Sequence, residues 1–388
     1  MPKVYFTPDE MCTTIKLEMR RVQDFFLVND WEVTTDPDQA DLLLCLTCSG
    51  WEKLEHNSIH TLQSLQKYGD KVVSVGCVNN VNPEGIRAVH SGRCIDTHNF
   101  EHIESLIDHP RVTMKELSAP SMFRTREDYR LYDLTKRFVN IAMGCSFKCT
   151  YCPHRIGLGP LRSRTRKDIL NQIEELKQEN LRILVLTGME TAYYGTDIGT
   201  TFPELLRDVL AMDGHFDIHV AQFHPIGVTK YADELLPLFS NPRVTDIQMP
   251  IQSTSPRLLK MMGRPQLSER LGDFLHQVSA NNSRVVLRTD LIIGFPTETM
   301  EELDASIDFA SANYDEAAVY GIEIRKGLPT EKYLDQTFSA EELHRRCAYA
   351  ASRLEKAGTM AHGGQQSEES LLDLEARKQK IREKKGAC

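Results

Sequence analysis

The first third of the chain alternates short apolar runs with stretches in which apolar residues recur every three or four positions. An apolar run predicts a buried strand, and the longer period predicts an amphipathic helix. The predicted strands are residues 4–6, 41–45 and 71–75, and the predicted helices are residues 14–29 and 52–68. Strands that alternate with helices form a parallel sheet with helices on both faces. We therefore expect a small doubly wound α/β domain over residues 1–115.

The same alternation begins again at residue 137 and continues for longer. The predicted strands are residues 138–142, 183–186, 216–221, 246–249, 285–293 and 316–324. The predicted helices are residues 166–179, 202–212, 230–240, 256–262, 268–280, 299–312 and 340–356. Six strands are fewer than the eight of a complete (β/α) barrel, so we expect a partial (β/α)6 barrel over residues 136–356. Its active site should lie at the carboxyl ends of the strands, and its open side would admit a bulky substrate.

Two polar stretches border this second series. Residues 116–135 are rich in Ser, Pro, Arg and Asp without a clear period, and we interpret them as a linker. Residues 357–388 contain a Gly-Gly break followed by many charges, which predicts a solvent-exposed helical tail.

Composition narrows the class of protein. The 388 residues are 41% hydrophobic and 26% charged, as in an ordinary globular protein. No apolar run of about 18 residues and no N-terminal signal segment occurs, which predicts a cytoplasmic protein with no membrane partner. The net charge of −9 argues against binding nucleic acid through overall attraction. The ten cysteines are expected to be metal ligands or reactive thiols, because the cytoplasm keeps thiols reduced.

Three cysteines lie close together directly after the first predicted barrel strand. Cys145, Cys149 and Cys152 fall within eight residues, so a loop must bring them together. Thiolates suit iron-sulfur clusters and zinc. Structural zinc needs four ligands, and no fourth Cys or His has a suitable spacing, although His154 follows closely. A cluster held by three cysteines would leave one iron open to a further ligand.

Three more cysteines follow predicted strands of the first domain. Cys12, Cys48 and Cys77 come after the first, second and third strands. Ligands of a doubly wound sheet collect at the carboxyl ends of its strands, so these thiols could hold a second cluster. Cys45 competes with Cys48, but it lies inside an apolar run, and we assign it to the core.

The first cysteine set resembles the radical S-adenosylmethionine (SAM) superfamily, whose pattern is CxxxCxxC with an aromatic residue before the last cysteine, as Tyr151 is here. The resemblance implies a 4Fe-4S cluster whose open iron binds SAM and whose electron cleaves it to a 5'-deoxyadenosyl radical. It also implies SAM contacts, each at the end of a strand and each open to an ordinary turn as the alternative. These contacts are Tyr151 and the backbone near His154, Gly188 and Glu190, Gln252 and Ser253, and Ile293 and Gly294.

The chain resembles more closely the radical SAM methylthiotransferase family. The matching stretches are 36–41, 46–49, 76–77, 162–164, 194–195, 250–253, 260–264 and 294–299. This resemblance implies that Cys12, Cys48 and Cys77 hold a second 4Fe-4S cluster, where sulfur is methylated by one SAM before a second SAM supplies the radical. Cys12 lacks the usual flanking Gly and Asn, and Leu46 replaces the usual Asn. The all-β substrate-binding domain that ends the family's members has no counterpart in the pattern after residue 328.

The resemblance implies insertion of a methylthio group at an unactivated C–H bond, with an external electron donor such as flavodoxin or ferredoxin. The acidic chain favours a peptide or protein side chain as substrate, for example a ribosomally made precursor peptide. Transfer RNA is the alternative, because Arg155, Arg162, Arg164, Arg166 and Lys167 form a basic run that could instead bind the SAM carboxylate or solvate a helix start. A radical SAM enzyme or a cluster-carrying redox protein without methylthio transfer is the second alternative.

Overall fold

The computed structural model describes residues 1–7, 12–120 and 136–363, which form two compact units. The first unit lies within Met1–Arg124, Met143–Ser146 and Cys152–Arg162, and the second within Thr125–Ala142, Phe147–Tyr151 and Ser163–Cys388. Most of the predicted linker, residues 121–135, and most of the predicted tail, residues 364–388, lie outside the described residues.

The first unit is built on a parallel sheet. Its strands are β1 (Lys3–Phe6), β2 (Glu32–Thr34), β3 (Leu42–Thr47), β4 (Val72–Gly76) and β5 (Arg93–Ile95). Their order is β2-β1-β3-β4-β5, and every neighbouring pair is parallel. β1, β3 and β4 are the predicted strands, and both β3 and β4 are buried along their full length. The edge strands β2 and β5 were not predicted because each has only three residues, mostly outside the core, and no apolar run.

Helices flank this sheet. In the described residues they are α1 (Thr13–Val28), α2 (Glu52–Ser64), α3 (Val78–Val81), α4 (Pro83–Val89) and α5 (His154–Leu158). α1 packs Phe26 edge-on against Phe6 and Trp31, which attaches this helix to the sheet. The predicted helix at 52–68 ends early, because the chain changes to a 3-10 turn that contains Gly69 at φ +60°.

The second unit contains a longer sheet. Its strands are β6 (Lys136–Met143), β7 (Arg162–Ser163), β8 (Ile183–Gly188), β9 (Asp217–Val220), β10 (Val244–Gln248), β11 (Val286–Ile293), β12 (Glu316–Gly321) and β13 (Met360–Gly363). Their order is β13-β12-β11-β10-β9-β8-β6-β7, and the pairs from β6 to β13 are parallel. The six predicted strands are therefore all present as successive neighbours of one parallel sheet.

The helices of this unit follow its strands. In the described residues they are α6 (Arg166–Lys177), α7 (Phe202–Ala211), α8 (Ile226–Phe239), α9 (Pro256–Met261), α10 (Leu271–Asn281), α11 (Met300–Asn313) and α12 (Ala340–Lys356). Side-chain caps explain several of the starts: Thr201 and Thr299 each form a capping box with the Glu three residues later. No helix in the described part of the chain is long and apolar enough to cross a membrane.

The end of the second sheet corrects one prediction. Residues 360–363, which we expected in a helical tail, form the edge strand β13 beside β12. The backbone hydrogen bonds of a parallel edge outweigh the weak helical signal of this short segment. Ala361 is buried, and His362 Nε2 lies 3.0 Å from Glu316 Oε1, so side chains also attach the strand.

We expect Gly76→Ala to lower the free energy of unfolding more than Gly69→Ala does. Both glycines have positive φ, which costs an L-residue about 1–2 kcal/mol. A Cβ at Gly76 would lie 2.0 Å from the Thr47 carbonyl oxygen, whereas one at Gly69 would meet no atom within 4 Å. The clash should add about 1–3 kcal/mol for Gly76→Ala. Chemical denaturation of both variants measures the difference, and equal losses would contradict the prediction.

Candidate functional site

In the first unit, Cys12 and Cys48 each lie within electrostatic range of Cys77. Cys12 precedes α1, Cys48 follows β3 and Cys77 follows β4, as expected for the carboxyl edge of a parallel sheet. Burial raises the pKa of Cys77 well above its ordinary value, and the neighbouring thiols of Cys12 and Cys48 raise it further. Cys45 is fully buried in the hydrophobic core, as predicted.

Backbone hydrogen bonds position two of these thiols. The Cys77 amide donates to the Thr47 carbonyl over 3.0 Å, which joins the ends of β3 and β4. The Cys48 amide donates to Ser58 Oγ over 3.0 Å. The Gly50 amide donates to Cys48 Sγ over 3.4 Å, and an N–H donor of this kind stabilises a thiolate. Hydrogen bonds of the backbone therefore fix the positions of Cys48 and Cys77 in the loops after β3 and β4.

The cysteine loop, which carries Cys145, Cys149 and Cys152, contributes residues to both units. In the first unit, the Cys145 amide donates to the Gly159 carbonyl over 3.2 Å. Gly144 has φ +74°, and a Cβ there would lie 2.0 Å from the Pro160 carbonyl oxygen, so glycine is required at this turn. Cys152 Sγ lies 3.3 Å from His154 Nδ1.

Helix α5, directly after Cys152, lies against Cys77 in the same unit. A Cβ built on Gly157 would be 3.2 Å from Cys77 Cβ and 3.5 Å from Cys77 Sγ. The Gly157 carbonyl accepts hydrogen bonds from Asn80 Nδ2, over 3.0 Å, and from Thr97 Oγ1. The segment after the last loop cysteine is thus in contact with a member of the second cysteine set.

The middle of the cysteine loop belongs to the second unit. Thr150 donates to α9 and the residue after it, through its amide to the Met262 carbonyl at 2.8 Å and through Oγ1 to the Met261 carbonyl at 3.0 Å. Arg264 Nη1 donates to Cys149 Sγ over 3.8 Å. Tyr151 packs against a buried apolar cluster of Leu258, Leu259, Met262, Ile292 and Phe295.

Two buried titratable groups at the strand ends of the second unit, Glu190 and His224, both lie within electrostatic range of Arg264. Glu190, after β8, is buried, and burial raises its pKa to about 8 although its carboxylate accepts from the Tyr193 amide. Burial lowers the pKa of His224 well below its usual range, and positive Arg264 lowers it further. His224 Nδ1 accepts from the Ile226 amide over 3.1 Å, so the neutral ring carries its proton on Nε2.

Three buried side-chain atoms of this region have no hydrogen-bond partner in the described residues. They are His224 Nε2, Gln252 Oε1 and Arg264 Nε. Buried polar atoms are normally paired, so these atoms at the strand ends are candidate contacts for a polar ligand. Gln252 also has φ +68°, an uncommon conformation for a residue with a side chain.

The other predicted SAM contacts lie at strand ends, and three of them form hydrogen bonds within the protein. Ser253 Oγ lies 3.3 Å from Ser306 Oγ, which connects the loop after β10 to α11. The Ile293 carbonyl accepts from the Ile322 amide, and the Gly294 amide donates to Glu298 Oε2. Gly188 ends β8. The roles of these four residues in SAM binding remain predictions.

The chemistry of the donor sets suits an iron-sulfur cluster. Each set consists of three cysteines, and cysteine thiolates are the usual ligands of 4Fe-4S clusters. Within residues 1–7, 12–120 and 136–363, no three His, Cys, Asp or Glu side chains are placed to share one metal ion.

Several residues of this region were missed or left without a role by sequence reasoning. Arg264 lies in a stretch that matches the family, but its spacing gave no sign that its guanidinium reaches Cys149. Thr97, Gly157 and His224 have no motif, and only the folded chain brings them to the cysteines or to the strand ends. The basic run suggested phosphate or SAM contacts from the sequence, but in the structure Arg166 pairs with Glu204 and Asp208 of the protein itself.

Comparisons with known proteins match both parts of the chain. Residues 139–310 match the Radical SAM superfamily, and residues 11–95 match the Uncharacterized protein family UPF0004. A probable threonylcarbamoyladenosine tRNA methylthiotransferase of Pyrococcus abyssi is 28% identical over 283 residues. A ribosomal protein uS12 methylthiotransferase of Thermotoga petrophila is 29% identical over 282 residues. The two family matches and the methylthiotransferase relatives are consistent with the radical SAM methylthiotransferase family.

These relatives are longer than the region they share with this chain. The match to the Pyrococcus protein covers 71% of this chain and 66% of the relative, and the match to the Thermotoga protein covers 70% and 65%. The chain thus spans slightly less than two thirds of the relatives it matches. The two family matches together contain all six cysteines of the two predicted sets.

Solved structures of low identity share the fold. The radical SAM methyltransferase TsrM of Kitasatospora setae, with cobalamin and a 4Fe-4S cluster bound, has a TM-score of 0.61 at 14% identity, over 85% of this chain and 74% of that chain. The cobalamin-dependent SAM radical enzyme OxsB has a TM-score of 0.56 at 15% identity, over 98% of this chain and 62% of that chain. At these identities the likeness concerns the fold alone.

We expect Glu190→Gln to change how stability depends on pH in the protein without cluster or SAM. The folded-state pKa of Glu190 is raised from 4.5 to about 8, so its stabilising contribution is complete below pH 4.5 and is lost as pH rises toward 8. The loss is on the order of 3–5 kcal/mol, at about 1.4 kcal/mol per unit. Gln keeps an acceptor for the Tyr193 amide but cannot ionise. Denaturation from pH 5 to 9 should show a steeper decline for the wild type, and parallel curves would contradict this.

Proposed function

We propose that this chain inserts a methylthio group at an unactivated C–H bond, with one 4Fe-4S cluster on Cys145, Cys149 and Cys152 and another on Cys12, Cys48 and Cys77. The observation that carries the proposal is the contact of α5 with Cys77. Because α5 begins two residues after Cys152, this contact supports the view that the two cysteine sets take part in one reaction. When bound, the first cluster and SAM supply an organic radical, and the second cluster supplies the sulfur.

The protein's own residues would bind and orient SAM at the strand ends of the second unit. A neutral Glu190 and the Nε2 proton of His224 are hydrogen-bond donors at pH 7, and Gln252 Oε1 is an acceptor. Unpaired buried groups of both kinds suit a ligand that carries an amino group and a carboxylate. Burial of Cys48 and Cys77 would exclude water from the second cluster.

The internal pairing of the basic run supports a peptide or protein side chain as substrate. Arg164 Nη1 donates to the Asn140 carbonyl over 2.9 Å and to Gln172 Oε1 over 2.7 Å. Arg162 donates to the Leu158 carbonyl over 3.1 Å, and Arg166 contacts two carboxylates. Groups held in this way are poorly placed to contact phosphates, and the chain is acidic overall. A reductant of the flavodoxin or ferredoxin class would supply the electrons.

Transfer RNA is the second candidate substrate, and some of the relatives support it. The Pyrococcus relative is named as a tRNA methylthiotransferase, whereas the Thermotoga relative is named for a ribosomal protein. Arg155 and Lys167 are the members of the basic run whose side chains make neither a hydrogen bond nor an ion pair within the described residues, so a smaller phosphate contact is possible there.

Anaerobic incubation of the reconstituted protein with SAM, a reductant and candidate substrates tests the reaction. We expect 5'-deoxyadenosine, S-adenosylhomocysteine and a substrate mass gain of one CH2S unit by mass spectrometry. Cys149→Ala should abolish SAM cleavage, because it removes a ligand of the first cluster. Cys77→Ala should preserve cleavage but prevent sulfur insertion, because it removes a ligand of the second.

The exposed Cys94 provides the matched control for this assay. Cys94→Ala should keep the iron content and all three products. Deoxyadenosine without methylthio incorporation would indicate a radical enzyme of another kind, and no substrate-dependent deoxyadenosine would indicate a redox protein. Identical behaviour of Cys149→Ala and Cys77→Ala would contradict the division of roles.

A salt titration separates the two substrate classes. If the substrate is a peptide or protein, binding of transfer RNA should be weak and should not gain affinity steeply as salt falls, because few phosphates are neutralised. Gel shift or fluorescence anisotropy between about 50 and 200 mM salt measures the slope. A steep slope that is reduced by Arg155→Gln or Lys167→Gln would favour transfer RNA, and Lys53→Gln, on α2 of the first unit, controls for loss of charge.

A further inference from the structure

Arg264 is placed to act on the sulfur of Cys149. Its Nη1 donates to Cys149 Sγ over 3.8 Å, and its Nη2 donates to the Pro250 carbonyl over 2.8 Å. The second bond fixes the plane of the guanidinium, so the donor to sulfur does not depend on a freely rotating side chain. Its charge also lies within electrostatic range of Tyr151 and Cys149.

The backbone that carries Arg264 is joined to the cysteine loop at several points. The Arg264 amide donates to the Leu259 carbonyl over 2.8 Å, which closes the turn after α9. Gly263 has φ +67°, and a Cβ there would lie 3.0 Å from the Lys148 carbonyl oxygen, so the turn approaches the loop closely. The Thr150 amide bonds the Met262 carbonyl over 2.8 Å. The guanidinium and the sulfur are thus held by one connected piece of backbone.

We propose that Arg264 sets the reduction potential of the cluster bound by Cys145, Cys149 and Cys152, by hydrogen bonding and positive charge at the Cys149 thiolate. Reduction moves one electron from the external donor protein to the cluster, so the donor is oxidised and the cluster gains one negative charge. A donor N–H and a cation beside a ligand sulfur stabilise the more negative state and raise the potential. Arg264 is a positioning residue in this role, and the inference rests on the cluster assignment in the proposed function.

The test measures the potential of the first cluster by itself. The background variant carries Cys12→Ala, Cys48→Ala and Cys77→Ala, so that only the first cluster can assemble. In this background Arg264→Gln, Arg264→Lys and Arg257→Gln are compared by anaerobic redox titration with electron paramagnetic resonance. Arg257 lies on α9, is exposed and pairs with Glu302, so Arg257→Gln removes a positive charge and an ion pair from the helix that precedes Arg264.

We expect Arg264→Gln to lower the ratio of reduced to oxidised cluster about tenfold at a fixed potential, which corresponds to about 59 mV for one electron. Arg264→Lys should show a smaller shift, because it keeps the charge but loses the planar pair of donors. Arg257→Gln should leave the potential unchanged. In Arg264→Gln, the affinity of the oxidised cluster for SAM, measured by spectroscopic titration, should change by a smaller factor than the ratio of reduced to oxidised cluster does.

Three results would overturn the inference. An unchanged potential in Arg264→Gln with full iron content would show that the bond to sulfur has no redox effect. Loss of the cluster in both Arg264 variants would show that the residue serves assembly. An equal shift in Arg257→Gln would show a general charge effect. A background variant that binds no iron at all would refute the proposed function as well, whereas an intact cluster with an unchanged potential refutes this inference alone.

Discussion

Parallel strand alignment is the constraint on which the chemistry of this chain depends. In a parallel sheet the carboxyl ends of all strands meet at one edge, so each loop that leaves a strand enters the same region. Cys48 and Cys77 follow neighbouring strands β3 and β4, and the Cys77 amide bonds directly to Thr47. Glu190, His224 and Gln252 follow β8, β9 and β10 in the same way. Residues far apart in the chain become neighbours for this reason.

Burial then gives these neighbours unusual protonation. A thiol, a carboxylic acid and an imidazole are all found in their neutral form when they are removed from water. Cys77, Glu190 and His224 follow this rule, and their pKa values shift in the direction that burial dictates. A buried neutral group that has no partner is prepared to bind a polar ligand.

The cysteine loop is held by several backbone contacts that only glycine or a small residue permits. Gly144 turns the chain before Cys145, Gly157 allows α5 to approach Cys77, and Gly263 allows the turn after α9 to approach Lys148. Hydrogen bonds from Thr150 hold the middle of the loop to that same turn. Residues of this loop therefore belong to both compact units, although its cysteines are close together in the chain.

The amino-acid sequence by itself determined the order and type of the main elements, the six candidate cysteines and the resemblance to a family. Apolar runs, helical periods and cysteine spacing are local properties, so they can be recognised along the chain. The short strands β2, β5, β7 and β13 were missed, because hydrogen bonds to a neighbouring strand decide them and their own residues carry little signal. Tertiary structure alone brought Gly157 to Cys77, occupied Arg164 and Arg166 with internal partners and placed Arg264 at Cys149. Each of these contacts joins segments whose separation is set by packing, and no pattern within either segment records it.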